Sequence, residues 1–463
     1  MALPAEQRKK ILRVLMTSLL LDLISFTFIL PLFPSLLTFY RNQDPAPSSL
    51  LNRVFHYLNA YKNAFAKPID SRYDIVLLGG ALGSLFSFLQ AVAAPFIGGL
   101  SDKYGRRTAL LCSMVGNTLS VALWVAATDF RTFLASRVVG GLSEGNVQLA
   151  HAIATDISDP SQRGSTMALV GACFSIAFTC GPALGAFLSN ITTVAANPFA
   201  TAAGVSLLLI VIETSYLYLC LPETHPRLSK LAHSSPAPPT PQQPKSQSTS
   251  TSTSTSTSTS TSTSTSTSTS TTARTHTNHP STLNTIHFLF LLPFSGMEFS
   301  LPFLTATFYA NTATTASPSA LNGRLLSMMG LIASLLQGTV VRRLPPLLTV
   351  RIGVVACTLS FFLLARVSSL SGLYAAGSLL AVTSATVVTG LNSLGSLEAE
   401  EGERGAVLGR LRSCGQIGRA AGPVLFCSLF WWAGREAAYV TGGGAMLAVC
   451  GGVFLFLKSP PRP

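Results

Sequence analysis

Apolar residues come in runs of about twenty along most of this chain, each closed by a short polar or basic turn. Twelve such runs occur, at approximately 11–39, 74–99, 108–128, 132–155, 164–189, 200–221, 284–309, 322–341, 347–366, 371–395, 405–432 and 437–457. About 20 apolar residues in a helix cross the hydrocarbon of a bilayer, so each run predicts a spanning helix. The predicted fold class is an all-α integral membrane protein with twelve transmembrane helices. One stretch breaks the pattern. Residues 225–283 are rich in Pro, Ser and Thr, with a strict Ser-Thr alternation from Ser248 to Thr271. That alternation has the period of a strand but two polar faces. It cannot bury a core and predicts a disordered linker between an N-terminal half, 1–224, and a C-terminal half, 284–463.

The halves echo each other. Arg163-Gly164 opens the fifth run and Gly181-Pro182 follows it; Arg404-Gly405 opens the eleventh and Gly422-Pro423 follows at the same separation. Two six-helix pseudo-repeats are expected, with a site near the midplane where repeats meet.

Composition agrees with lipid as the solvent. The chain is 48% hydrophobic and 11% charged, with mean hydropathy +0.46, whereas a soluble domain carries about a quarter charged residues. The net charge of +13 raises the question of nucleic acid, and the distribution argues against it. Most Lys and Arg lie at the termini and the even-numbered turns, which places both termini and the central linker in the cytoplasm. Arg41, Arg53, Lys62, Lys67 and Arg72 in the first outer loop run against that bias. The same loop interleaves Leu50, Leu51, Val54, Phe55, Leu58 and Phe65 with basic residues, the pattern of a short amphipathic helix at the membrane surface; a plain loop cover is the alternative. Asn190-Ile191-Thr192 is a glycosylation sequon close to a helix end. The first run is long enough to span and lacks a small-residue cleavage site, so no signal peptide is expected. All eight cysteines fall inside apolar runs and imply no disulfide framework. No P-loop, metal-ligand spacing or nucleophile–base grouping stands out, so neither an enzyme nor a cofactor is expected.

Charges inside spans are costly and face protein or water. In the fourth run, Arg137, Gly141, Glu144, Gln148, His151 and Thr155 recur at steps of four and three, on one face of a helix. Such a stripe lines an aqueous cavity or an interhelical polar seam. Arg137 can hold an anion or neutralise a carboxylate, and Glu144 can release a proton. Other intramembrane charges are Asp22, Glu213, Glu298 and Arg419. Glu298 sits about 20 Å into its run at 1.5 Å per residue, close to midplane, and is the leading proton-coupling candidate. A static ion pair is the competing reading. Asp22 precedes Pro31 and Pro34, which break the outer part of the first span, and serves gating, coupling or structural pairing. Glu213 is the weakest of these candidates. Arg412, Gln416 and Arg419 form another stripe. Deep arginines on both halves favour an anionic substrate.

Between the second and third runs lies Gly98-Gly99-Leu100-Ser101-Asp102-Lys103-Tyr104-Gly105-Arg106-Arg107. Gly98 and Gly99 permit close helix approach. Asp102 can face the N-terminal end of the eleventh helix, and Arg106 can pair with an acid, locking the cytoplasmic side. The alternative is a basic turn that only fixes topology. In the fifth run, Gly181, Pro182 and Gly185 provide a kink and a smooth packing face.

These segments agree with one family. GGLSDKYGRR resembles the first signature of the major facilitator superfamily, and RVVGGLSEG, with Arg137, its fourth-helix signature. GPALGA resembles the antiporter signature of the drug:proton exporters, although Ala186 stands where that signature ends in glycine, and LPET closes the sixth run as is typical there. LLLDLISFTFILPLFPSLL, GNVQLAHAIATDISDP, FSGMEFSLPFL and LRSCGQIGRAAGP are similar to a eukaryotic tetracycline-transporter-like branch. The resemblance implies the major facilitator fold, alternating access, and export of organic anions or drugs driven by a proton gradient. Together with the buried charges read above, this puts Arg137, Gln148 and Arg419 forward for substrate binding or charge balance and Asp22, Glu144 and Glu298 for protons. Gly98, Gly99, Asp102, Arg106, Arg107, Gly181, Pro182 and Gly185 are put forward for gating. The expected partners are the bilayer and a small organic anion, in a plasma or endomembrane, with the protein acting as a monomer. An uncoupled facilitator and a non-transporting scaffold or receptor with the same fold remain as alternatives. The hinge of the second half, Gln337 to Arg342-Arg343, is a degraded copy of the first.

Overall fold

In lipid a backbone satisfies its own polar groups most simply as helix. Helices with short connections make up the computed structural model, and no strand occurs among the described residues. Those residues are 4–43, 48–64, 74–189, 191, 197–226, 277–311 and 318–459. In the N-terminal half the helices are α1 (Ala5–Thr27), α2 (Ile29–Gln43), α3 (Leu50–Asn63), α4 (Asp74–Tyr104), α5 (Arg106–Ala126), α6 (Phe130–Ser143), α7 (Asn146–Ile157), α8 (Arg163–Ser189) and α9 (Ala200–Cys220). In the C-terminal half they are α10 (Pro280–Asn311), α11 (Pro318–Thr339), α12 (Pro346–Arg366), α13 (Leu370–Glu398), α14 (Arg404–Ala433) and α15 (Arg435–Phe456).

Nine of the described helices are long and apolar enough to cross a membrane: α4, α5, α8, α9, α10, α11, α12, α13 and α15. The other three expected spans differ for local reasons. The first run is split at Phe28 into α1 and α2. Pro31 has no N–H to give the carbonyl of Thr27 four residues back, which favours a break there. The fourth run, read as one helix from its periodicity, is split at Glu144-Gly145 into α6 and α7. The eleventh run is the single helix α14, but it carries Arg404, Arg410, Arg412 and Arg419.

Apolar side chains gather in two large clusters and a small one of Ala168, Ala333, Val341 and Ala385 between the halves. Of the large ones, one runs from Ile11 to Leu221; the other runs from Leu283 to Leu457 and takes in Leu77 and Ala152 from across the seam. Between the halves, α4 packs on α14, α8 on α11 and α13, and α7 on α14. The first outer loop holds the helix α3, capped by Ser49, whose hydroxyl accepts the Asn52 N–H at 3.2 Å. Lys62 at its end pairs with Asp74 at the start of α4, both buried. The Tyr61 hydroxyl reaches Ser428 of α14 at 2.9 Å.

Residues 227–276 of the expected linker, with the whole Ser-Thr alternation, lie outside the described residues, as do Phe65, Lys67, Arg72 and Asn190 of the sequon. The described ends of the linker are held. At its start Glu223 accepts the N–H groups of Thr224 and His225. At its end Asn278 bonds Glu398 and Lys458, and α10 begins at Pro280, four residues earlier than the apolar run.

Candidate functional site

At the end of the bundle that carries both chain termini, expected to be cytoplasmic, the halves are locked together. Asp102, at the C-terminal end of α4, accepts the N–H groups of Gly405 (2.9 Å) and Ala406 (2.7 Å), the first turn of α14. A carboxylate there meets the unpaired donors and positive dipole end of a helix. Arg106 is fully buried beside it and donates to Asp102 (2.6 Å), Ser101 (2.6 Å) and Asp156 (2.7 Å). The other oxygen of Asp156 takes Arg404 of α14 at 2.9 Å. One carboxylate from α7 therefore joins arginines from both halves. Gly98 makes this closure possible, because a Cβ there would run into the carbonyl of Gly405; beside Gly99 nothing lies within 4 Å. Of the two glycines expected to allow close approach, only Gly98 has a neighbour to admit. Arg107 points away from the lock, donating to the Tyr218 carbonyl at 2.6 Å and stacking on the Tyr218 ring, so it ties α5 to α9.

The start of α5 depends on a remote group. Gly105 precedes it with φ 100°, a left-handed conformation that favours glycine, and offers no side-chain cap. Glu223 substitutes: its two oxygens accept the N–H groups of Arg106 (2.9 Å) and Arg107 (3.2 Å). The backbone that carries the arginine hub is thus held by the first residues after α9.

Deeper in the N-terminal half, the split at Glu144-Gly145 frees backbone groups that α5 takes up. Gly145 N–H donates to Ser113 Oγ at 2.9 Å, and Ser143 Oγ donates to Asn117 at 3.0 Å. Asn117 in turn donates to Glu144 at 3.2 Å. Glu144 shares a cavity wall with Asp22 of α1, and Arg412 of α14, bonded to Gln90, acts electrostatically on both carboxylates. Arg137 lies nearby between the rings of Trp124 (5.9 Å) and Phe133 (5.5 Å), bonded to Ser136 and without a carboxylate partner at ion-pair distance among the described residues. Asp22, Asn117, Arg137, Glu144 and Ser206 line a cavity of about 30 Å³, space for roughly two waters.

Gln148 and His151 do not share that cavity. Gln148 donates to the Ala94 carbonyl of α4 at 3.0 Å, and the His151 ring lies 3.3 Å from Asn392 of α13. His151 stitches the seam between the halves, while Gln148 ties α7 to α4 within the N-terminal half. Glu298 and Arg419 form an ion pair at 3.1 Å, near the middle of α10, with each side chain more than 40% exposed. On α8, a Cβ at Gly181 would strike Thr27 and one at Gly185 the backbone of Phe28, so the Gly181-Pro182 segment cradles the break in the first span. The structure adds Asp156 and Gln90 to the residues singled out from sequence, and gives partners to Arg412 and Glu213, which the sequence named without a role. Gln90 of α4 accepts from Gln416 at 2.7 Å and Arg412 at 3.4 Å. Glu213 is buried against Ser18 of α1 at 2.7 Å. For Arg412 the stripe with Gln416 and Arg419 was a signal; for Asp156 and Glu213 the sequence offered none beyond their charge.

A helical bundle of two halves with a carboxylate–arginine lock at one end and a charged site between helices is the architecture of a membrane transporter. The chain belongs to the Major Facilitator Superfamily, whose profile matches residues 15–423. It is 34% identical to major facilitator superfamily domain-containing protein 10 of Mus musculus, over 98% of this chain and 92% of that protein. It is 29% identical to the class C tetracycline resistance protein of Escherichia coli over 42% of each chain. Among solved structures, the human organic anion transporter MFSD10 (TETRAN) superposes with a TM-score of 0.79 at 30% identity, covering 97% of this chain and all of that one. The proton:xylose symporter XylE shares the fold alone, with a TM-score of 0.67 at 13% identity.

Proposed function

We propose that the protein exports organic anions or drugs in exchange for protons, by alternating access between its two halves. The observation that carries this reading is the split of the fourth span, where Glu144 lines one small cavity with Asp22 while Arg412 of the other half acts electrostatically on both. Two carboxylates and a facing arginine across a moving seam form a switch. An anionic solute competes with the carboxylates for Arg412, and a proton on a carboxylate frees that arginine for the solute. Arg137, held by rings and a hydroxyl, adds a second cation to the cavity wall. Its relatives, among them an organic anion transporter and tetracycline resistance proteins, support the substrate class. The Glu298–Arg419 pair lies about two turns along α14 from Arg412 and serves as a second, exposed charge pair on the C-terminal half.

The test is flux of a labelled organic anion in proteoliposomes, with and without an imposed pH gradient. Uphill, gradient-dependent flux that Asp22→Asn and Glu144→Gln abolish is expected. Flux indifferent to the gradient would make the protein an uncoupled facilitator. No flux for a broad anion panel, with folded protein, would leave a scaffold or receptor.

A further inference from the structure

Polar positions on α1 and α9 face each other in matched register. Ser18, Asp22 and Ser25 share one face of α1 at steps of four and three; Ser206, Ile210 and Glu213 share one face of α9 in the same way. The helices are antiparallel. Ser25 Oγ lies 2.5 Å from Ser206 Oγ, and Ser18 Oγ donates to Glu213 Oε1 at 2.7 Å. Glu213 therefore sits one helical turn nearer the basic end than Asp22. It is 1% exposed, and its second oxygen is buried without a hydrogen-bond partner.

The charged groups around it are Asp22 from α1 and Glu144 from the α6–α7 break; Arg137 and Arg412 act on Glu144, and Arg412 also on Asp22. Three carboxyl groups thus stand against two arginines, one of which belongs to the opposite half and moves with it. A buried, unpaired carboxylate is costly, and the usual resolution is to take up a proton. Asp22 and Glu213 each keep one buried oxygen without a donor, but Arg412 acts on Asp22 whereas no arginine acts on Glu213.

We propose that Glu213 is a proton-carrying site, passing protons between Asp22 and the basic end along the α1–α9 seam, apart from the solute route between the halves. This rests on the proton-coupled reading above. In the step, the O–H bond of a protonated Asp22 breaks and an O–H bond forms on the Glu213 carboxylate. Release to water at the basic end restores the carboxylate, to which the Ser18 hydroxyl donates. Only protons move, and no other reactant is needed. α9 thereby becomes part of the coupling machinery.

The test is infrared difference spectroscopy of the purified protein between low and high pH, read in the carbonyl band of protonated carboxyl groups. One band is expected to vanish in Glu213→Gln, to shift in Glu213→Asp, and to shift in Ser18→Ala, which leaves the carboxyl in place but removes its donor. A spectrum that none of these variants alters overturns the proposal, and the last two decide it if Glu213→Gln does not fold. In proteoliposomes the ratio of gradient-driven to gradient-free uptake should fall about tenfold in Glu213→Gln, within the usual range of coupling between sites. An unchanged ratio in a wild type that does respond to the gradient sinks the role of Glu213 alone. A wild type that ignores the gradient sinks proton coupling itself, while the infrared result still reports whether Glu213 holds a proton.

Discussion

Arg106 uses its guanidinium as a planar fork, with Nε on Asp156 and one Nη on both Asp102 and Ser101. A lysine offers a single point of charge and cannot reproduce that geometry. Arg106→Ala leaves buried carboxylates without their cation and is expected to destabilise the closed state by about 3–5 kcal/mol. Arg106→Lys should recover only part of that loss. Thermal unfolding in detergent, read with labelling of cysteines placed along the α4–α14 seam, checks both. The paired glycines give a sharper contrast. Gly98→Ala puts a methyl into the Gly405 carbonyl and should hold the basic end open, whereas Gly99→Ala meets nothing. Gly99→Ala should leave transport intact and raise helix stability by up to about 1 kcal/mol. Equal transport in the two variants would mean that Gly98 is not the contact that limits closure. Reading the sequence shows Asp102 and Arg106 as a lock because their spacing is local. It cannot separate Gly98 from Gly99, since only the position of α14 tells which one faces it.

At the scale of elements, the split between α6 and α7 was not legible. Arg137, Glu144 and His151 keep helical spacing straight through it, and Gly145 looks like any packing glycine. What makes the split tenable is on another helix: Ser113 and Asn117 of α5 accept and relay the hydrogen bonds that the fourth span gives up. Ser113→Ala takes away the side-chain acceptor of the buried Gly145 N–H and leaves it only the Ser143 carbonyl at 2.8 Å, at a cost of about 0.5–1.5 kcal/mol. Since that cost falls on the split itself, solute affinity should drop along with thermal stability. A binding isotherm unchanged while stability falls would detach the split from the site. The seam of α1 and α9 was equally hidden, because α9 is apolar nearly all round and its sequence does not say which side meets protein. The cap on α5 makes a further expectation. Glu223→Gln keeps the shape but loses the charge that holds two backbone donors, and should weaken the lock by about 0.5–2 kcal/mol. Faster solvent exchange of the Arg106 and Arg107 amides would register it.

For the whole molecule, hydropathy revealed the bundle and its two halves, because lipid dictates run length irrespective of detail. The contacts between the halves were beyond it. His151, Gln90 and Arg412 meet partners in the other half, and a helical wheel gives a direction without naming who stands there. Asp156 shows this best. It lies near the end of α7 in a segment that reads as an ordinary polar turn, yet its oxygens are shared between Arg106 of one half and Arg404 of the other. Asp156→Asn should shift the balance toward the conformer open at the basic end, with labelling of seam cysteines rising several-fold. A shift of tenfold corresponds to about 1.4 kcal/mol. The same sharing has a kinetic corollary. Two separate bridges can be undone in sequence, with a half-unlatched species between. A single carboxylate clasped by both sides loses its orientation when either arginine lets go, so the second bond is weakened by the rupture of the first. The lock at the basic end should then behave as a toggle, with few molecules caught ajar.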